Sequence, residues 1–142
     1  ADLRARLAEH EAVFGARDAS DGDRELRMAT VRAVGLRRLI AAVASGEAPN
    51  RPAQLHGIRI GPIALLATPY EVFQAIKNDV KSAAKAPVPL VMSNTNDGYG
   101  YAPDRIVAAR GGYAVDSGAH VNLHDDHVRE LLSLDAALCE AR

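Results

Sequence analysis

The sequence predicts an α/β fold, a mixed sheet with flanking helices. Three observations lead there. Two long stretches near the start carry apolar residues at helical spacing. Residues 58–67 then alternate, turn at a Gly-Pro pair and run apolar. A second apolar run, at 88–92, follows a further helical stretch, so strands and helices alternate as in a layered α/β structure.

Residues 2–14 read as a helix. Leu3, Leu7, Val13 and Phe14 fall near helical spacing, and Gly15 is a natural stop. The polar stretch ARDASDG, 16–22, is a loop. A second helix over 23–45 is marked by Leu26, Met28, Val31, Val34, Leu39, Ile40 and Val43, and Gly46 ends it. Arg24, Arg27, Arg32, Arg37 and Arg38 lie along this helix. They read as a solvated face with carboxylate partners, or else as a binding stripe. GEAPNRPAQ, 46–54, is a connector. Strands at 58–60 and 63–67 flank the Gly61-Pro62 turn. A helix is predicted from Pro69 to about residue 84, and a strand over 88–93. The tyrosine-bearing loop SNTNDGYGYAPDR follows, then a short helix over 103–109 ending at Gly111-Gly112. Residues 113–115 are expected to be extended. The last helix covers 124–140, with Val128, Leu131, Leu132, Leu134 and Leu138 on its apolar side.

At 142 residues the chain has the length of one domain, or of a fragment divided into a helical pair at 1–46 and an α/β segment at 55–142. Its first residue is Ala1, so it is expected to be processed or a piece of something longer. A net charge of −1 argues against a nucleic-acid partner. No stretch approaches the ~18 uninterrupted apolar residues of a membrane span. Cys139 is the single cysteine, which excludes a disulfide framework within the chain and fixes no compartment. A secreted or periplasmic location is compatible with a signal peptide lost along with an earlier segment.

Several residues invite chemistry, each beside a plainer role. Thr68 and Glu71 form a Thr-x-x-Glu capping box with Pro69 at the first helical position, in which Glu71 folds back onto the Thr68 amide. If strands 63–67 and 88–93 are instead parallel neighbours, both lead into one sheet edge where ligands bind, and Glu71 and Tyr101 converge there. Tyr99 and Tyr101 read either as packing residues in a Gly-rich turn or as part of that site. His120, His124 and His127 pose a metal question. The plainer reading of His124 and His127 is the surface start of a helix, with Asp125 and Asp126 favouring its N-terminus. Cys139 reads as a small apolar residue on the last helix. No phosphate loop, CxxC, His-Glu-x-x-His or nucleophile elbow is present.

Two stretches resemble the neutral, non-lysosomal ceramidases and their bacterial relatives. IRIGPIALLATPYEVF, 58–73, is similar to the family's apolar strand running into Pro-Gly-Glu and an aromatic residue. SNTNDGYGYAPDRIVAARGGYAV, 93–115, is similar to a later segment with an Asn, a Tyr, and a second Tyr about a dozen positions on in a Gly-Gly-Tyr context. The resemblance spans roughly residues 55–140 and implies the C-terminal part of a larger catalytic domain. In that family a zinc ion held by two histidines, a glutamate and a tyrosine activates water to cleave an N-acyl amide bond. It implies Glu71 and Tyr101 as metal ligands, Tyr101 as catalytic, and Tyr99 and Tyr113 as substrate-binding. The remaining ligands are then expected from an upstream segment or a partner chain, and the substrate to be lipid-like or another N-acyl amide. Tyr70 stands where the family has Gly, which alters the approach to Glu71. Ala114 stands where a Glu often follows. The alternative is a non-enzymatic α/β module that binds a ligand or partner. On the hydrolase-fragment reading, apolar surface left by the missing half is expected to promote self-association.

Overall fold

Asp23 opens the longest helix of the chain. Its Oδ1 accepts hydrogen bonds from the Glu25 and Leu26 amides at 2.9 and 3.1 Å, which satisfies two of the amides a helix start leaves unpaired. That helix, α2 (Arg24–Ser45), ends at Gly46 with φ of 72°, as the sequence predicts. The computed structural model describes residues 2–15, 23–46, 52–116 and 123–141. The loop read at 16–22, most of the connector at 46–54, and His120 lie outside the described residues.

The chain divides into two compact units, Ala1–Arg51 with Gly111–Val121, and Pro52–Arg110 with Asn122–Arg142. In the first, α1 (Asp2–Gly15) packs against α2. The small buried residues Ala29, Ala33 and Gly35, with Leu36, line the buried face of α2 and permit close approach. Arg37 donates to Glu11 Oε1 at 2.7 Å, and Arg24, Arg27 and Arg38 are exposed, so these four lie in solvent as expected, whereas Arg32 is half-buried. A single turn, α5 (Tyr113–Asp116), also packs on α2. This corrects the expectation of an extended piece at 113–115. The run Tyr-Ala-Val is too short for its β propensity to decide its state.

The second unit is the α/β part, with a mixed three-stranded sheet in the order β1-β2-β4. Strands β1 (His56–Ile60) and β2 (Ile63–Ala67) form the antiparallel hairpin predicted around Gly61-Pro62. Strand β4 (Val88–Met92) pairs parallel to β2. Parallel neighbours need a crossover, supplied by α3 (Gln74–Ala83). Helices α3 and α6 (Leu123–Glu140) both contact the sheet strands and each other. The core between them is Ala64, Leu66, Val80, Ala86 and Leu131, flanked by Val91, Val128, Leu134, Leu138 and Cys139. Gly57 lies under α6, where a Cβ would come within 2.8 Å of Leu138 Cδ1. The α6 carbonyls of Leu138 and Cys139 both accept from the Arg59 guanidinium at 3.3 Å, so β1 caps the helix whose side it packs against.

Helix α3 begins at Gln74, five residues later than predicted, and the capping box does not form. Its N-cap is Phe73, with no side-chain hydrogen bond. The Thr68 hydroxyl accepts from the Tyr70 amide at 3.3 Å, a local turn. The Thr68 amide, which the box would give to the Glu71 carboxylate, donates instead to Met92 O at 3.0 Å, and the Glu71 amide donates to Gly100 O at 2.9 Å. Residues 71–72 are instead strand β3 (Glu71–Val72), paired parallel with β5 (Tyr101–Ala102). Between β5 and α6, helix α4 (Arg105–Arg110) is capped by Asp104, whose Oδ1 accepts from Ile106 and Val107 at 2.9 Å.

Arg105 of α4 forms an ion pair with Asp125 in the first turn of α6. The hydrogen bond from Arg105 holds the Asp125 carboxyl below its ordinary value. A depressed carboxyl stabilises the folded form above its ordinary pKa, and that contribution is lost as pH falls through the depressed value. We therefore expect α4 amide protection to fall on acidification below about pH 4. Arg105→Ala should remove this pH dependence, which amide exchange as a function of pH measures. Both side chains are largely exposed, so global stability should change little.

Candidate functional site

The segment leaving β2 is held on both sides. On one side the Thr68 amide donates to Met92 O at 3.0 Å, Thr95 N to Thr68 O at 3.0 Å, and Asn94 N to Tyr70 O at 3.1 Å. The Ser93 hydroxyl accepts from the Val72 amide at 3.3 Å. On the other side Tyr99 N donates to Pro69 O at 3.0 Å and Phe73 N to Ala102 O at 3.1 Å. The loop after β4 thus wraps around the segment and returns as β5. Its shape requires residues that adopt left-handed backbone. Asn94 and Asn96 have φ of 51° and 64°, which Asn tolerates better than most residues, and Gly100 has φ of 87°.

This wrapping explains the two tyrosines. Glu71 is the direct register partner of Tyr101, and Val72 of Ala102. Side chains alternate along a strand, and register partners share a face. Val72 and Ala102 are buried, while Glu71 is exposed and Tyr101 half-buried. Glu71 and Tyr101 therefore stand side by side on the solvent face of the β3–β5 pair, although thirty positions separate them. The Phe73 ring packs edge-on to Tyr101 with centroids 6.2 Å apart.

Tyr70 and Tyr99 serve the opposite face. Tyr70 is 1% exposed and belongs to the core of Val72, Ile76, Ala102 and Leu123. Its ring meets Tyr99 edge-on at 5.4 Å and His127 edge-on at 4.8 Å. The expectation that Tyr70 alters the approach to Glu71 is thus answered by burial, since its ring fills the core while Glu71 faces solvent. Tyr99 packs on that ring. Tyr113 is exposed on α5, in the helical unit.

His124 and His127 are not on the surface, which corrects the plainer reading of them. Both are buried. His124 Nε2 lies 2.9 Å from Asp79 Oδ2 on α3, and His127 Nδ1 lies 2.8 Å from Leu123 O. They continue the stripe of half-buried Val128 and buried Leu131 and Asp135 by steps of three and four, so helical spacing carries them inward. Among the described residues no group of three or more His, Cys, Asp or Glu side chains is placed to hold a metal ion. Glu71 and Tyr101 are register partners on one face, and two oxygen ligands are fewer than the about three protein ligands of a catalytic zinc site. Their chemistry suits part of such a site and does not complete it.

No protein-family model, curated protein or solved structure matches this chain. No helix among the described residues is long and apolar enough to cross a membrane.

Proposed function

We propose that this chain is the C-terminal portion of a ceramidase-like, zinc-dependent amidohydrolase that cleaves an N-acyl amide bond, and that it contributes half of the metal site. The observation that carries the reading is the Glu71–Tyr101 pair, in direct register on one exposed face. The similarity of residues 58–73 and 93–115 to the ceramidase segments supports it. Zinc at such a site would supply Lewis acidity and acidify water. Glu71 would give a carboxylate oxygen. Tyr101 would give a phenol oxygen held in place by its strand and by the Phe73 ring. The remaining ligands would come from an upstream segment or a partner chain. The second reading is a non-enzymatic α/β module that binds a ligand or partner.

The experiment is a zinc and turnover assay with a fluorogenic N-acyl amide, on the longest natural chain that contains this sequence. On the hydrolase reading, Glu71→Gln and Tyr101→Phe each lower kcat/KM by about 100-fold or more. Melting should barely change, because neither side chain is in the core. The isolated 142-residue chain should show no turnover and only weak zinc affinity. Turnover untouched by Glu71→Gln sinks the metal assignment. A natural chain that neither holds zinc nor hydrolyses the amide favours the module. Robust turnover by the isolated chain would mean that further ligands lie within it.

A further inference from the structure

The three-stranded sheet has one face under α3 and α6 and a second face of a different kind. Register places Ile58, Leu65 and Leu90 in one row across the strands, and Ile60, Ile63 and Val88 in the next. Met92 continues the same face beyond the first row. Met92 shares its row with Ala67 and the exposed His56, whereas the six side chains of the first two rows are all apolar. Ile58 and Ile60 are 58% and 62% exposed, and Val88, Leu90 and Met92 are each 41% exposed. The alternate positions, Ala64 and Leu66, are fully buried on the helix side. Antiparallel sheets commonly leave one face polar and wet, whereas parallel pairs such as β2–β4 are ordinarily covered on both.

We propose that this face is a docking surface for a second copy of the chain, packed sheet against sheet about a two-fold axis. An isologous contact sets a patch against itself, residue i meeting j and j meeting i, so a charge on it would need its complement on the same patch. The two rows carry none. Their exposed fractions amount to on the order of 500 Å² per copy, and two copies would bury about 1,000 Å², where specific interfaces begin. Rows of branched side chains on one sheet face can interdigitate with those of a second sheet about 10 Å away. Pairing through the β4 edge is disfavoured. Val88 N donates to Pro62 O and Met92 O accepts from Thr68 N, so these residues face β2. The intervening Pro89 turns to the free edge and has no N–H to offer there. The proposal does not depend on the metal reading.

The test is sedimentation of the 142-residue chain up to about 100 µM, where an interface of this size should hold. The wild-type chain should be a dimer. Ile58→Arg and Leu90→Arg should each weaken it about 100-fold or more, with the far-ultraviolet circular dichroism unchanged. Leu65 lies on the central strand, near the axis. With Cys139→Ala, a Leu65→Cys chain should therefore be joined to its twin by a bis-maleimide spanning about 10 Å. A monomeric wild-type chain at the top concentration overturns the proposal and assigns the face to a different partner. A dimer that survives both arginine substitutions, or that fails to cross-link, is assembled through another surface and overturns it equally.

Discussion

Tyr70→Gly is expected to destabilise the α/β unit by about 4 kcal/mol, the cost of removing a large buried aromatic ring. The substitution asks what the tyrosine is for. Tyr70 is 1% exposed and lies with Val72, Ile76, Ala102 and Leu123. Its ring is flanked edge-on by Tyr99 and His127, a geometry that adds about 1 kcal/mol per pair beyond the area buried. Removing it takes support from three elements together, β3, the loop before β5 and the first turns of α6. Glycine also adds backbone freedom to a segment that must stay extended. Denaturant unfolding should show a lower midpoint for Tyr70→Gly and an unchanged one for Glu71→Gln next door, because Glu71 faces solvent. Equal stability of the two variants would mean that the core does not rest on this ring.

The contrast between Tyr70 and Glu71 marks how far the sequence could be read. Apolar spacing located α1, α2 and α6, the alternation at 58–67 located the hairpin, and the run at 88–92 located β4. These are local patterns, and local physics decides them. The start of α3 was not legible, because Thr68, Pro69 and Glu71 satisfy a helix-start signal on their own. What defeats that signal is the backbone pairing of Glu71 with Gly100 and of Phe73 with Ala102, across about thirty positions. No window of sequence contains it. The same pairing brings Glu71 beside Tyr101 through a small additional pair of strands rather than at the edge of the three-stranded sheet itself. His124 and His127 were legible in principle. Counting back from Leu131 by threes and fours places both on the apolar side of α6, but their polarity and the neighbouring Asp125 and Asp126 pointed to solvent.

The same stripe holds a residue whose loss should be nearly as costly, Asp135. Asp135→Ala is expected to lower stability by about 3 kcal/mol, since buried donors left without an acceptor cost about 1–3 kcal/mol each. Asp135 is 1% exposed in the middle of α6, one turn after Leu131. An acidic residue there is costly to bury unless its oxygens are used. They are used by the turn between α3 and β4. Oδ2 accepts from the Lys85 amide at 2.5 Å, and both oxygens lie 3.4 Å from the Ala86 amide. Ala86 is itself buried in the sheet–helix core, so its amide has no ready access to water. Asp135 thus ties the crossover between the parallel strands to the helix that covers them. Asp135→Asn keeps one acceptor oxygen and the side-chain shape, and should cost about half as much. Asp135→Leu restores volume without an acceptor and should remain as destabilised as Asp135→Ala. Equilibrium denaturation of the three variants separates the contributions. If Asp135→Leu recovers wild-type stability, packing rather than the two amides sets the cost. If all three match the wild type, the turn is held by something other than this carboxylate.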